Sequence, residues 1–269
     1  MSDFDDINAR GLVLVGCGRM GGAMLQGWLA RGLDAGAVTV IDPNLAPEWQ
    51  DRGLRVNADL PSDPAVVVLA VKPQMMGGAL SAMPDLSGSL VISVAAGTTI
   101  ATFEAAFPGA PVIRVMPNTP AAIGQGISAM IGNGAATPAH LDLAEALMRA
   151  VGRVVRLEHE GQMDAVTGLS GSGPAYVFHL IEAMAAAGEA QGLSPALSLE
   201  LARMTVAGAG ALAVHADEDP VVLRRNVTSP NGTTAAGLAV LMDDDAGLTP
   251  LMVRTVAAAT ERGRELGRG

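Results

Sequence analysis

The chain has 269 residues, of which 17 are basic and 27 acidic, so its formal charge is −10 at pH 7. This charge repels polyanions and anionic membrane surfaces, which disfavours nucleic acid and membranes as partners. The longest apolar candidate, residues 204–216, is shorter than the roughly 20 residues of a membrane span. The single cysteine, Cys17, predicts no internal disulfide and no metal site. We therefore expect a cytoplasmic protein that binds a small molecule.

Short β-branched runs alternate with helical stretches in the first part of the chain. The predicted strands are residues 11–15, 38–41, 66–70, 90–93 and 112–116, followed by 127–131 and 153–157. Several of these runs are apolar at nearly every position, as strands buried on both faces of a parallel sheet must be. The gaps between them leave room for crossover helices. The pattern predicts a doubly wound α/β sheet, which the last two strands extend at one edge around a helix that begins at Thr137-Pro138.

Residues 16–21, GCGRMG, match the G-x-G-x-x-G pattern of a dinucleotide-binding loop. The motif follows an apolar strand and precedes a helix, the context in which its glycines let the backbone turn and approach a pyrophosphate. Asp42 ends the next strand, where a carboxylate accepts hydrogen bonds from an adenosine ribose and repels a 2′-phosphate. Residues 1–160 are therefore predicted to be a Rossmann-type domain that binds NADPH or NADH. Asp42 favours NADH, and polar or basic residues after it leave NADPH open.

Two further segments follow predicted parallel strands. They are Ala70-Val71-Lys72-Pro73 and residues 93–97. Open α/β sheets bind ligands at the carboxyl ends of their strands, so both segments are expected beside the cofactor. Lys72 is the only lysine in the chain. It is either a solvated surface residue or part of the site, and the sequence leaves both readings open.

After about residue 160 the β-branched runs stop and the chain is predicted to be helical. The predicted helices are residues 174–191, 195–216, 233–243 and 250–266, and Ser194-Pro195 and Thr249-Pro250 are cap-then-proline signals. The helix over 195–216 is apolar nearly all round, which is expected when a second chain packs against it. Residues 161–269 are therefore predicted to be an all-helical dimerisation and substrate-binding domain.

Two hydroxyl- and glycine-rich loops interrupt this helical part. The first, residues 168–174 (GLSGSGP), leads into a helix that carries Tyr176, and the second, residues 228–234 (TSPNGTT), leads into the helix that starts at 233. A helix N-terminus offers backbone N–H groups and a positive dipole end to a small anion such as a carboxylate. Either loop alone is more simply a helix cap, but two of them beside a dinucleotide domain favour a substrate site.

Taken together, these residues resemble the pyrroline-5-carboxylate reductase family over essentially the whole chain. The resemblance rests on residues 16–22, 70–73, 114–121, 164–176 (DAVTGLSGSGPAY) and 227–238 (VTSPNGTTAAGL). It implies a Rossmann-type domain followed by a helical dimerisation domain, and a homodimer that in this family often assembles further into a decamer. The implied activity is hydride transfer from NADPH or NADH to the cyclic imine 1-pyrroline-5-carboxylate, which gives L-proline in the last step of proline biosynthesis.

The resemblance also implies roles for individual residues. The cofactor residues would be Val15, Gly16, Cys17, Gly18, Arg19, Met20, Gly21, Asp42, Asn44, Asn57, Ala70, Val71, Lys72, Ala96 and Asn226. The substrate residues would be Glu160, Ser229, Gly232, Thr233 and Thr234, with the Thr234 hydroxyl closest to the substrate ring and therefore catalytic. Asn231 stands where the family more often has glycine, and it keeps the turn because asparagine tolerates a positive φ.

The implied chemistry needs few side chains. A protonated imine accepts a hydride without a general base, so positioning can account for most of the catalysis. The main enzyme alternative is a β-hydroxyacid dehydrogenase, which needs a lysine as general acid/base in its helical half; this chain has no lysine after Lys72. A deazaflavin-dependent NADP reductase would account for the N-terminal half alone. A nucleotide-sensing regulatory subunit would keep the glycine loop and lose the second hydroxyl-rich loop, and both are present.

Overall fold

A computed structural model describes residues 4–268 and divides the chain into two compact units. Of the described residues, the first unit comprises 4–171 together with 259–268, and the second comprises 172–258. The first unit thus extends eleven residues past the division at 160 that the sequence suggested, and it also includes the end of the chain. Each unit is described separately below.

The first unit is built on one eight-stranded sheet. Its strands are β1 Leu12–Val15, β2 Val38–Ile41, β3 Arg55–Val56, β4 Val66–Leu69, β5 Leu90–Ser93, β6 Val112–Met116, β7 Gly126–Gly132 and β8 Gly152–Arg156. Their order across the sheet is β3-β2-β1-β4-β5-β6-β7-β8. The first six strands are parallel, β7 runs antiparallel to β6, and β8 runs parallel to β7. The predicted doubly wound sheet with a two-strand extension at one edge is therefore confirmed.

Six helices accompany the sheet up to residue 166. They are α1 Asp5–Arg10, α2 Arg19–Ala30, α3 Pro73–Ser81, α4 Ile100–Ala106, α5 Pro138–Met148 and α6 Met163–Val166. Strands β1, β4 and β5 are buried at every position, as their unbroken apolar runs predicted. The core divides into two clusters that alternate along these strands: Leu12 and Leu14 lie in one and Val13 and Val15 in the other. Such alternation places side chains on opposite faces of the sheet.

The second unit is helical. It contains α7 Gly173–Ala190, α8 Pro195–His215, α9 Pro220–Asn226, α10 Thr233–Leu241 and the first part of α11 Leu248–Arg268. The Ser194 side chain accepts a hydrogen bond from the Leu197 N–H, so the predicted cap of α8 is confirmed. The Thr249 cap is wrong, because α11 already begins at Leu248 and Pro250 lies inside its first turn. Proline is tolerated there because the first N–H groups of a helix have no intrahelical partner.

Helix α8 has an exposed apolar surface. Its side chains are only partly covered within the chain, and the exposed members are Leu197, Leu199, Leu201, Met204, Leu212 and Val214. With 21 residues and a mean hydropathy of 1.3, α8 is long and apolar enough to cross a membrane by length and composition. The apolar segment 204–216 therefore lies within a longer helix, whose first half carries the charged residues Glu200 and Arg203. The expectation that the chain has no membrane partner stays a prediction.

Candidate active site

The parallel strands bring the predicted cofactor residues of the first unit to one edge of the sheet. Val15 lies opposite Ile41 and Leu69, and Leu69 lies opposite Ser93. The segments that follow β1, β2, β4 and β5 therefore emerge side by side at the carboxyl end of the sheet. They carry Gly16 to Gly21, Asp42, Asn44, Ala70, Val71, Lys72 and Ala96.

The three glycines of the loop have three different environments. Gly16 has φ +92°, and a Cβ on it would lie 2.8 Å from the carbonyl oxygen of Ala70. A Cβ on Gly21 would collide with the carbonyl oxygen of Gly16. A Cβ on Gly18 would meet nothing within 4 Å, so the backbone there is open to a ligand. These are the turn, the close packing and the open approach that a dinucleotide loop requires, and the loop therefore fits an NAD(P) pyrophosphate.

The N-terminus of α2 supplies the anion-binding groups. Gly18 is its N-cap and offers no side chain to the first N–H groups of the helix. Arg19 is the first helical residue and is exposed. The free N–H groups, the helix dipole and the arginine all favour a phosphate at this position.

The carboxylate of Asp42 is tied to the glycine loop. Its Oδ2 accepts a hydrogen bond from the Cys17 N–H at 2.7 Å, and its Oδ1 accepts one from the Asn44 N–H at 2.8 Å. Asn57 holds the Asp42 backbone from the other side: its Oδ1 accepts from the Asp42 N–H at 2.9 Å and its Nδ2 donates to the Asp42 carbonyl at 3.0 Å. Asn57 has a left-handed backbone, with φ +47°. Because its side chain makes both of these hydrogen bonds, Asn57 positions Asp42.

Cys17 is a buried residue of the loop with an unreactive thiol. Its pKa is raised from 9.0 to about 11, first by burial and then by the negative charges of Asp42 and Glu48. The thiolate is the reactive form, and it is disfavoured in a desolvated and negatively charged setting. The raised pKa therefore reflects mainly the burial of the thiol, to which the nearby carboxylates of Asp42 and Glu48 add.

The Cys17 thiol should react slowly with an alkylating reagent. At pH 8 the rise from 9.0 to about 11 lowers the thiolate fraction, and with it the rate of alkylation by iodoacetamide, about a hundredfold relative to an ordinary thiol. The rate should rise in the urea-unfolded chain, where Cys17 is again solvated. Mass spectrometry of this single cysteine gives both rates, and equal rates in the folded and unfolded chains would contradict the expectation.

Glu160 has a structural role in the first unit. Its Oε1 accepts a hydrogen bond from the Ile100 N–H at 2.9 Å and pairs with Nη1 of Arg114 at 2.7 Å. The Arg114 side chain is 6% exposed and that of Glu160 is 31% exposed. The pair borders a cavity of about 330 Å³ that Asp164 and Arg264 also line. The predicted contact between Glu160 and the substrate stays a prediction.

The first part of the first hydroxyl-rich loop is helical rather than open. Residues Thr167–Gly171 form a π-helical turn. The Thr167 hydroxyl donates to the Met163 carbonyl at 2.8 Å, and the Ser170 hydroxyl donates to the Val166 carbonyl at 3.0 Å. Hydroxyls that bond back to their own helix are engaged by the backbone. The loop does lead into the helix that carries Tyr176, as the sequence predicted.

The second hydroxyl-rich loop precedes α10 and keeps its polar groups on the surface. Ser229, Thr233 and Thr234 are exposed. Gly232 is the N-cap, and no side chain caps the helix. Asn231 has φ +59°, which bears out the expectation that asparagine keeps the turn. This N-terminus therefore offers uncapped N–H groups together with three hydroxyls. Asn226 is the last residue of α9 in the same unit.

The chain is similar in sequence to known proteins over nearly its whole length. The family model described as pyrroline-5-carboxylate reductase dimerisation matches residues 160–266, and the one described as NADP oxidoreductase, coenzyme F420-dependent, matches residues 12–97. The chain is 39% identical over 264 residues to the pyrroline-5-carboxylate reductase of Pseudomonas aeruginosa, covering 95% of this chain and 96% of that protein. It is also 39% identical over 264 residues to the reductase of Methanosarcina acetivorans, covering 94% and 97%.

Solved structures agree with these relatives. A pyrroline-5-carboxylate reductase from Coxiella burnetii superposes with a TM-score of 0.86 and 32% identity, covering 96% of this chain and 98% of that one. A Plasmodium falciparum pyrroline carboxylate reductase with NADP bound has a TM-score of 0.82 and 28% identity, covering 97% and 99%. The similarity extends over both units of the chain.

Proposed function

The chain belongs to the pyrroline-5-carboxylate reductase family, and we propose that its glycine loop binds the cofactor and its second hydroxyl-rich loop binds the substrate. The chain is an NAD(P)H-dependent oxidoreductase that reduces 1-pyrroline-5-carboxylate to L-proline, the last step of proline biosynthesis. The cofactor supplies the hydride. The assignment of individual residues to the two ligands is the part that we propose.

The glycine loop and its neighbours hold the cofactor in this proposal. Val15 to Gly21 and the N-terminus of α2 bind the pyrophosphate, and the open backbone at Gly18 is the observation that supports it. Asp42 and Asn44 bind the adenosine ribose, with Asn57 as a positioning residue. Ala70, Val71, Lys72 and Ala96 line the rest of the cofactor, and Asn226 is retained as a further cofactor residue.

The N-terminus of α10 holds the substrate carboxylate in this proposal. Its lack of a side-chain cap is the main observation that supports the assignment. Its uncapped N–H groups and the hydroxyls of Ser229, Thr233 and Thr234 are donors to an anion at the positive end of a helix dipole. Position 232 has no room for a side chain, since a Cβ there would lie 2.6 Å from the Ser229 hydroxyl. Glycine therefore lets this hydroxyl lie directly beside the start of α10. Glu160 is retained as a second contact of the product.

The reaction depends more on the positioning of the substrate than on proton transfer by a side chain. The hydride acceptor is the ring carbon of a protonated imine, and the product amine needs no further proton. The Thr234 hydroxyl bonds to the ring nitrogen and fixes its orientation. A β-hydroxyacid dehydrogenase would need a lysine that the helical half does not contain, and nothing in the comparisons favours that enzyme or a nucleotide-sensing regulatory subunit over the reductase.

Replacing Thr234 tests the catalytic assignment. We expect Thr234→Val to lower kcat about tenfold, because one hydrogen bond to the reacting ring is lost while the side-chain shape is kept. Thr234→Ser keeps the hydroxyl and should stay within about threefold of the unchanged enzyme. Thr234 is exposed, so neither variant should change the melting temperature. A fall in turnover of less than about threefold in a folded Thr234→Val protein would contradict the role.

The second unit is the dimerisation unit, since the dimerisation family model spans it. We propose that the exposed apolar face of α8 is buried by the partner chain, which explains a helix of membrane-span length without a membrane. Further assembly into a decamer and a cytoplasmic location belong to the same proposal. Nucleic acid is not a partner in it, because the net charge is −10.

A further inference from the structure

The adenosine end of the cofactor site is fixed by one carboxylate. Asp42 is the first residue after β2, and both of its oxygens accept backbone N–H groups, one from Cys17 in the glycine loop and one from Asn44. The bond to Asn44 is an Asx turn, which locks the side-chain direction. The bond to Cys17 ties the carboxylate to the loop that binds the pyrophosphate. Asp42 cannot swing away without breaking both.

The fixed carboxylate still has room for a donor ligand. A carboxylate has about four lone-pair sites, and the hydrogen bonds from the Cys17 and Asn44 N–H groups use one site on each oxygen. A ribose diol offers two O–H donors, which match the remaining sites. A 2′-phosphate offers negative charge and acceptor oxygens only, so it meets a carboxylate that can neither donate to it nor move aside.

The surrounding charges reinforce this preference. Glu48 adds a second negative charge that reaches the loop, since it contributes with Asp42 to the raised pKa of Cys17. Arg52 is engaged elsewhere: its Nε donates to the Glu48 carbonyl at 3.0 Å, its Nη1 donates to Gln26 at 2.7 Å, and its guanidinium lies 4.8 Å from the Trp49 ring centroid. Arg55 is exposed on β3, one strand further out than Asp42. Arg19 lies at the start of α2, where the pyrophosphate is proposed to bind.

We infer that this chain binds NADH in preference to NADPH, and that the immobilised carboxylate of Asp42 is the group that discriminates. The inference rests on the proposed function for the presence of a nicotinamide cofactor and deepens it by naming which one. It differs from the NADP found in the Plasmodium falciparum reductase structure, which is 28% identical to this chain.

Direct binding measurements test the preference without the reaction. Calorimetric titration of the full-length protein with NADH and with NADPH, in the absence of substrate, should give a Kd for NADH that is about tenfold lower or more. Parallel assays with 1-pyrroline-5-carboxylate should show the same order in kcat/KM. An equal Kd for the two cofactors, or a lower Kd for NADPH, would overturn the inference.

Three variants assign the discrimination to Asp42. Asp42→Ser should weaken NADH and strengthen NADPH, shifting the ratio of the two Kd values about tenfold toward NADPH. Glu48→Gln should shift the ratio in the same direction by a smaller factor, and it breaks no hydrogen bond of the loop, so it remains informative if Asp42→Ser folds poorly. Asp51→Asn is the matched control: it removes one exposed carboxylate from the same segment and should leave the ratio unchanged.

The outcomes separate this inference from the proposed function. A protein that binds NADH tightly and NADPH weakly, but does not reduce 1-pyrroline-5-carboxylate, would overturn the substrate and leave the cofactor preference standing. A protein that reduces the substrate with NADPH better than with NADH would overturn the preference and leave the reductase standing. A ratio that Asp42→Ser leaves unchanged in a folded protein would remove Asp42 from the discrimination.

Discussion

Gly21→Ala should weaken NAD(P)H binding about tenfold or more and lower the stability of the fold by about 1–3 kcal/mol. The added Cβ would collide with the carbonyl oxygen of Gly16, which is a backbone atom and cannot rotate away. The first turn of α2 or the loop must therefore shift, and the N–H groups that face the pyrophosphate shift with it. Calorimetry measures the Kd, and urea unfolding at fixed protein concentration measures the stability.

Two other glycines provide matched controls for Gly21. A Cβ on Gly18 meets nothing within 4 Å, so Gly18→Ala should fold normally and still bind the cofactor more weakly, because the methyl group occupies the open approach. A Cβ on Gly77 also meets nothing within 4 Å, in the exposed middle of α3. Gly77→Ala should raise stability by up to about 1 kcal/mol and leave binding unchanged. Normal binding by Gly21→Ala would contradict the packing role assigned to Gly21.

The sequence predicted the sheet because its strands are simple apolar runs. Predicted residues 38–41, 90–93 and 112–116 agree with β2, β5 and β6 at both ends. Such strands are buried on both faces, so the signal does not depend on their neighbours. Strand β3 has only two residues and was missed, because a run of two carries no periodicity.

Three features of the helical part were missed or misread for identifiable reasons. Asp219 is the N-cap of α9 and Pro220 is its first residue, and the Asp219 side chain accepts a hydrogen bond from the Val221 N–H at 2.8 Å. This is the same cap-then-proline signal as Ser194-Pro195, so the sequence does contain evidence for this helix, which is absent from the predicted ones. The π-helical turn at Thr167–Gly171 has no distinct sequence pattern, and its serine and glycine composition suggested an open loop. The start of α11 at Leu248 overrides the signal at Thr249-Pro250.

The local part of the candidate site could be predicted, and the part made by distant contacts could not. The glycine loop and Asp42 follow from a motif and a strand end. The bond from Cys17 to Asp42 and the bidentate hold of Asn57 on Asp42 join segments that are 25 and 15 residues apart. The pair between Arg114 and Glu160 spans 46 residues. Contacts of this kind depend on how strands are ordered in the sheet, which no local pattern encodes.

Glu160→Gln should destabilise the first unit by about 3 kcal/mol. Arg114 is 5% exposed in the sheet, and Glu160 is the carboxylate paired with its guanidinium. Glutamine still accepts the Ile100 N–H but leaves a buried positive charge without compensation. Arg114→Met should cost only about 1 kcal/mol, because the Glu160 side chain is 31% exposed and water can solvate its carboxylate.

The double variant gives the sharpest test of this pair. Adding Arg114→Met to Glu160→Gln removes the uncompensated charge, so the double variant should be more stable than Glu160→Gln alone by about 1–2 kcal/mol. The control is Arg262→Gln, which breaks an exposed pair with Glu265 on α11 and should cost less than about 0.5 kcal/mol. Urea unfolding of the four variants and of the unchanged protein, all at one concentration, gives the comparison. If the second substitution brings no recovery, an uncompensated charge on Arg114 is not what destabilises Glu160→Gln, and the pair does not act as a buried ion pair.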